Sequence, residues 1–249
     1  MPTLPEKVSL DEIVRILVDQ YGPIEKIILF GSYARGDTDE YSDLDLILIK
    51  KTSKRFVERL VEVPLLPVHA DVFVYTPEEF EQMRENENPF ILSALESAKV
   101  IYGDSTAEWK PCFTGRHSRQ NALRSIGDAG GTLRNAERIF QEDDAYNSVC
   151  FLAEEATQKA LKSVRYLDGA PFISIHSVSE LIREVSQKRP EFLPLREEAG
   201  VLDQYYLTTR YPDAVAEPAI PSEIFTQKQA EEALRIAQSI FAMSKSLIA

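Results

Sequence analysis

Two aspartates one residue apart, Asp43 and Asp45, open an apolar segment that continues to Ile49. In a β-strand, residues i and i+2 point to the same face, so this spacing places two carboxylates side by side. Adjacent carboxylates repel each other unless a cation lies between them. Mg²⁺ prefers oxygen ligands and is usually held by one or two carboxylates together with substrate phosphates. Taken alone, an Asp-x-Asp pair is more often a solvated strand end than a metal site.

A third carboxylate, Asp71, interrupts the apolar segment from Val68 to Tyr75. That segment predicts a buried strand, and burying an unpaired carboxylate is costly. We therefore expect Asp71 to share a metal site with the two earlier aspartates.

A glycine and a serine, Gly31 and Ser32, follow the apolar run that ends at Phe30. Glycine lets the backbone approach a ligand closely, and backbone N–H groups with a serine hydroxyl can hold the oxygens of a triphosphate. Arg35 could add positive charge there, although a solvated loop arginine is an equal alternative. A lone Gly-Ser is only a turn, but with the three aspartates it forms one constellation with one mechanism.

The segments around these residues predict a small α/β domain in residues 1–104. Ser9 begins a capping-box pattern before a helix at 10–20, and Thr76 and Asn88 precede prolines that open helices. Ser53 is a candidate N-cap of a further helix with an apolar face of Phe56, Val57, Leu60 and Val61. The expected strands are 27–30, 42–49 and 68–75; the other expected helices begin at Ser53, at Pro77 and at Pro89, the last running over 89–101.

Beyond residue 116 the sequence shows only helical periodicity, which predicts an all-α bundle in residues 117–249. Residues 105–116, with Trp109, show neither period and are expected to be a linker. Asp143-Asp144 and Thr226 are candidate caps, and three glycines between 127 and 131 weaken the first helix. The expected helices are 117–141, 145–167, 177–188, 195–208 and 226–247.

The composition narrows the function classes. The chain of 249 residues is 44% hydrophobic and carries a formal net charge of −12, most of it in residues 1–105. Such an acidic surface repels a phosphate backbone, so extended nucleic-acid binding is disfavoured. We find no apolar run near membrane-spanning length and no N-terminal signal pattern, so a cytoplasmic protein is expected. Cys112 and Cys150 form neither a disulfide framework nor a zinc motif.

The motifs Gly31–Gly36 (GSYARG) and Ser42–Leu46 (SDLDL) resemble the polymerase-beta-like nucleotidyltransferase superfamily, in its minimal nucleotidyltransferase branch. The resemblance covers about residues 24–76. It implies transfer of a nucleoside monophosphate from an NTP to a hydroxyl, with release of pyrophosphate and two Mg²⁺ ions. On this resemblance Asp43 and Asp45 match the metal pair, Gly31 and Ser32 match the phosphate turn, and Asp71 matches the third carboxylate. Asp71 would then orient the acceptor hydroxyl and is a candidate to take its proton.

The segments Phe151–Lys162 (FLAEEATQKALK) and Tyr205–Asp213 (YYLTTRYPD), with His176 between them, resemble a HEPN domain. That family of helical bundles is commonly paired with, or fused to, a minimal nucleotidyltransferase. Many members are ribonucleases that use an arginine followed, four to six residues later, by a histidine. No histidine follows Arg210 at that spacing, so no ribonuclease activity is expected. His176 is interpreted as a cap or surface residue.

Three residues of the helical domain are possible acceptor-side groups: Glu154, Glu155 and Arg210. Aminoglycoside nucleotidyltransferases, with a similar two-domain arrangement, take a glutamate base from their helical domain. Glu155 is also spaced to pair with Lys159 one helical turn later, and Arg210 could equally be a structural helix end.

These observations predict a Mg²⁺-dependent nucleotidyltransferase whose helical domain completes the acceptor pocket and which forms a homodimer. The acceptor could be a small molecule, such as an aminoglycoside-like compound, or a protein. The alternative is a catalytically silent nucleotide-binding or partner-binding module of a toxin–antitoxin-like system.

Overall fold

The structure, a computed structural model, describes residues 9–38, 42–104 and 113–248. The chain forms two compact units, and the boundary between them in the sequence falls between Thr114 and Gly115. This boundary falls within the expected linker, of which residues 105–112, including Trp109 and Cys112, lie outside the described residues. In the described part, no helix is long and apolar enough to cross a membrane.

The first unit is built on a four-stranded mixed sheet with the order β3-β2-β1-β4. β2 pairs with β3 in parallel, and β1 pairs with both β2 and β4 in antiparallel fashion. The strands are β1 Lys26–Phe30, β2 Leu44–Ile49, β3 Ala70–Tyr75 and β4 Lys99–Tyr102.

Helices cover both faces of this sheet, because the strands carry apolar residues on both sides. One face packs against Ile13 and Leu17 of the first helix, and the other packs against Phe80 and Ile91. The helices are α1 Leu10–Tyr21, α2 Gly31–Arg35, α3 Phe56–Val61, α4 Pro77–Glu85 and α5 Pro89–Glu96.

The predicted C-terminal end of the helix 89–101 is wrong. The helix in the structure ends at Glu96, and Lys99–Tyr102 pairs with β1 as an edge strand. The prediction for the helix after Ser53 also needs correction, since its N-cap is Arg55. In that helix Val57 and Val61 are 68% and 82% exposed, although the sequence pattern placed both on an apolar face with Leu60.

The second unit is helical in its described residues and has one apolar core. Cys150 is buried in that core, as expected for a packing residue. The helices are α6 Ser118–Glu142, α7 Tyr146–Leu167, α8 Val178–Ser186, α9 Arg196–Asp203, α10 Tyr205–Thr208, α11 Pro221–Ile224 and α12 Gln227–Ile248, with 3₁₀ turns at Pro190–Leu195 and Pro212–Ala214.

Three details of this unit differ from the sequence patterns or extend them. The expected helix 195–208 divides into α9 and α10, and α7 starts after Ala145 without a side-chain cap. α6 is continuous despite its glycines, and at Gly130 a Cβ would lie only 3.1 Å from Cζ of Phe241 on α12, so the packing favours a glycine there. The mixed sheet followed by a helical unit confirms the predicted fold class.

Candidate active site

Asp45 and Asp71 lie side by side at the end of the sheet where β2 and β3 begin. They are direct partners in the parallel pairing of β2 with β3, and Phe30 is the partner of Asp45 in the antiparallel pairing with β1. The end of β1 therefore meets the starts of β2 and β3. Asp43 lies just before β2, is exposed, and shares the face of Asp45 by strand alternation.

Gly31, the residue after β1, is in direct contact with Asp45. Gly31 has a φ of +67°, and a Cβ added to it would lie 2.8 Å from Cγ of Asp45 and closer still to Oδ2. A side chain at this position is excluded by both the backbone conformation and the carboxylate. The glycine motif and the aspartate motif are therefore parts of one site.

The segment after Gly31, interpreted from the sequence as a turn, is the short helix α2. Gly36, with a φ of 86°, ends it, and the N–H groups of Gly36 and Asp37 donate to the carbonyl oxygen of Ser32 at 2.8 and 3.2 Å. Arg35 Nε donates to Asp37 Oδ2 at 3.0 Å, and both side chains are more than half exposed. Arg35 is thus a solvated residue, but its charge still acts on Asp45.

Burial is the largest cause that raises the pKa of Asp45 above its ordinary value. The neighbouring carboxylates Asp71 and Asp43 raise this pKa further, and the Arg35 guanidinium opposes them. The positive charge of Arg35 does not offset the burial of Asp45 and the two neighbouring carboxylates. A bound cation would therefore stabilise the ionised form of Asp45.

Among residues 9–38, 42–104 and 113–248, no three His, Cys, Asp or Glu side chains are grouped so that they could hold a metal ion by themselves. A magnesium ion that arrives with a nucleotide needs only one or two protein carboxylates. The array of Asp43 and Asp45 fits that donor set.

The sequence argument for Asp71 needs a correction. Asp71 is exposed at the start of an edge strand, so the cost of burial does not explain its presence. The reason to include Asp71 in the candidate site is instead that it is the pairing partner of Asp45 between β3 and β2. This exposure leaves its carboxylate accessible to solvent.

In the helical unit, the structure separates the two adjacent glutamates of α7. Glu155 pairs with Lys159 at 2.9 Å, as the spacing predicted. Glu154 is 1% exposed and accepts a hydrogen bond from Gln158. Burial raises the pKa of Glu154 to about 7 against the opposing effects of Gln158 and Arg210. The sequence reasoning missed this burial, although Glu154 lies at helical spacing from the core residues Cys150 and Leu161.

Arg210 and His176 both contact the ring of Tyr206. The Arg210 guanidinium lies 4.4 Å from the Tyr206 centroid and 4.8 Å from that of Phe151, and His176 is stacked on Tyr206 at 6.0 Å. The sequence spacing after Arg210 could not reveal this histidine, because it comes from the segment before α8. An acceptor-side role for Glu154, Glu155 and Arg210 stays a prediction.

Comparison with known proteins agrees with both halves of this description. The model of the nucleotidyltransferase domain matches residues 10–106, and that of the HEPN domain matches residues 122–247. One relative from Methanocaldococcus jannaschii is 34% identical over 98 residues, which are 39% of this chain and 98% of the relative. A second from the same organism is 36% identical over 109 residues, which are 41% of this chain and 74% of the relative.

Both relatives carry the provisional name of protein adenylyltransferase. The crystal structure of TT1696 from Thermus thermophilus is 34% identical, covers 50% of this chain and 96% of its own, and superposes with a TM-score of 0.46. The chain is thus a nucleotidyltransferase, and it belongs to the nucleotidyltransferase family through its first unit and to the HEPN family through its second.

Proposed function

We propose that this enzyme transfers an adenylyl group from Mg²⁺-bound ATP to a hydroxyl group of a protein and releases pyrophosphate. The observation that carries the proposal is the contact of Gly31 with Asp45, together with the pairing of Asp45 with Asp71. The names of the two archaeal relatives support adenylate as the transferred group and a protein as the acceptor.

The reaction forms one bond and breaks one. The acceptor oxygen attacks the α-phosphorus of ATP, and the bond from that phosphorus to the α–β bridging oxygen breaks. Pyrophosphate leaves with the electron pair, and the acceptor loses its hydroxyl proton. Asp71 is the candidate to receive that proton, because it is exposed beside Asp45 on the edge strand.

Asp43 and Asp45 would hold the magnesium. When bound, magnesium lowers the pKa of an attacking hydroxyl and offsets charge on the leaving pyrophosphate. The residues fit this role because the pKa of Asp45 is raised by burial and by its two carboxylate neighbours, so a cation relieves the repulsion between them.

The triphosphate would lie at the end of β1. Gly31 brings its backbone against Asp45, Ser32 follows in the first turn of α2, and Arg35 contributes positive charge that reaches Asp45. The strand order supports a position for the leaving phosphates on the β1 side of β2 and a position for the acceptor on the β3 side, with Asp71.

The test uses ATP labelled at either the α- or the γ-phosphate, with Mg²⁺ and a panel of protein and small-molecule acceptors. Label from the α position should appear on an acceptor, and Asp43→Asn and Asp45→Asn should each abolish it. Asp19→Asn, an exposed change on α1, should leave transfer intact. Transfer of label from the γ position alone would exclude the proposal, and binding without turnover across the panel would favour a silent nucleotide-binding module.

A further inference from the structure

His69 lies next to the aspartate array, at the residue before β3. The backbone N–H of Leu44 donates to the carbonyl oxygen of His69 at 3.0 Å, and this bond belongs to the pairing of Leu44 with Ala70, the first pair of the ladder. Asp43 and His69 directly precede the two residues of that pair.

Asp43 lies two residues before Asp45, and His69 lies two residues before Asp71, which is the spacing at which extended backbone presents side chains to one face. Neighbouring strands are about 4.8 Å apart, and residues two apart along a strand are separated by about 6.6 Å. On this spacing Asp43 and His69 would extend the paired residues Asp45 and Asp71 by one row on the same face of the sheet.

The His69 side chain is exposed. Within the described part of the chain it makes no hydrogen bond, ion pair or ring contact, in contrast to His176. An exposed histidine is commonplace by itself. Its position beside three carboxylates, with both ring nitrogens unused, makes it available to a substrate.

The strand order decides which substrate it would meet. β1, which ends just before Gly31, lies on one side of β2, and β3, which begins just after His69, lies on the other. The leaving pyrophosphate is expected on the β1 side. His69 therefore borders the position of the incoming acceptor.

We infer that His69 positions the acceptor oxygen beside Asp71 by a hydrogen bond from its imidazole. The inference rests on the proposed function and adds to it a specific acceptor-side residue. His69 acts on the attacking oxygen and leaves nucleotide binding to Gly31, Ser32 and the aspartates.

Water, the smallest acceptor, gives a test that needs no identified partner. Wild-type protein is incubated with Mg²⁺ and α-labelled ATP, and the formation of AMP and pyrophosphate is followed. His69→Ala should slow AMP formation about tenfold, which is the effect of losing one hydrogen bond to a charged group. His69→Gln, which keeps an N–H donor, should restore most of that rate.

Two measurements separate positioning from other roles. The affinity for the α,β-methylene analogue of ATP should be the same in His69→Ala and wild type. The combined effect of His69→Ala and Asp71→Asn should be smaller than the product of the single effects, because both act on one oxygen.

An unchanged AMP rate in His69→Ala would overturn this inference, as would a loss of nucleotide affinity by the same factor as the rate. If Asp43→Asn abolishes AMP formation in the same series, that failure leaves the proposed function standing. If Asp43→Asn has no effect on AMP formation, or if only the γ-phosphate of ATP is released, the proposed function itself is contradicted.

Discussion

Asp45 covers the backbone of Gly31 so closely that a Cβ on residue 31 would lie 2.8 Å from Cγ of Asp45. Fourteen positions separate the two residues in the chain, and the antiparallel pairing of Phe30 with Asp45 brings them together. The glycine is therefore required by the carboxylate that faces it as well as by its own φ of +67°.

This contact predicts a difference between two glycine variants. Gly31→Ala should abolish adenylyl transfer because the new methyl group would displace the Asp45 carboxylate. Gly36→Ala is the matched control, since Gly36 also has a positive φ, of 86°, but a Cβ there would meet nothing within 4 Å. Each variant should lose about 1–2 kcal/mol of unfolding free energy from backbone strain, measured by urea denaturation. Equal loss of transfer in the two variants would contradict the role of the contact.

The raised pKa of Asp45 predicts a gain in stability when its charge is removed. Burial raises this pKa, so the ionised carboxylate opposes folding at any pH above its folded-state pKa. Asp45→Asn should therefore raise Tm at neutral pH while abolishing transfer. The gain should vanish when pH falls below the ordinary aspartate pKa of about 3.9, where both states are protonated.

In the presence of Mg²⁺ and nucleotide, the Tm of wild type should exceed that of Asp45→Asn. A cation bound at Asp43 and Asp45 stabilises the folded wild type by mass action, so added Mg²⁺ with nucleotide should raise its Tm. The Tm of Asp45→Asn should respond much less, and that of Asp19→Asn should respond as the wild type does. Equal responses in all three proteins would contradict magnesium binding at the array.

The buried Glu154 predicts a pH dependence in the helical unit. Its pKa is raised to about 7 by burial, so its contribution to stability is present at low pH and is lost as pH rises through about 7. Glu154→Gln should remove that loss and raise Tm on the alkaline side. Glu155→Gln, which breaks the half-buried pair with Lys159, should instead cost only about 0.5 kcal/mol with little pH dependence. A wild-type Tm that is flat across this range would contradict the buried carboxyl.

The motifs of the candidate site could be identified from the sequence, because they depend on the spacing of residues that are close together in the chain. Asp43 and Asp45 share a face in any strand, and Gly31 follows an apolar run whatever its partner. The sequence was not sufficient for residues whose environment is set by distant pairing. β4 pairs with a strand about 70 positions earlier, and its four residues carry no periodicity that separates a strand from a helix end.

Arg59 illustrates the same limit in α3. The pattern of Phe56, Val57 and Leu60 predicted an apolar face, yet Arg59 is 5% exposed and Val57 faces solvent. The Arg59 guanidinium donates hydrogen bonds to the carbonyl oxygens of Lys54 and Val74 and forms an ion pair with Glu79. These partners lie on other segments, so helical periodicity alone could not identify the buried residue.

This network predicts a large stability cost at Arg59. Arg59→Ala removes the partner of Glu79 and of two carbonyl groups, and should lower the unfolding free energy by about 3 kcal/mol. Arg55→Ala, at the exposed neighbour before α3, should change it by less than about 0.5 kcal/mol. Urea denaturation of both variants checks the contrast, and similar values would contradict the buried network.

The most direct measurement of the central claim is ³¹P NMR of the products formed from Mg²⁺ and ATP by the full chain, with wild type and Asp45→Asn compared. Transfer at this site predicts pyrophosphate together with an equal amount of AMP or of an AMP ester, and neither product with Asp45→Asn. Formation of ADP and orthophosphate, or of pyrophosphate at the wild-type rate by Asp45→Asn, would contradict it.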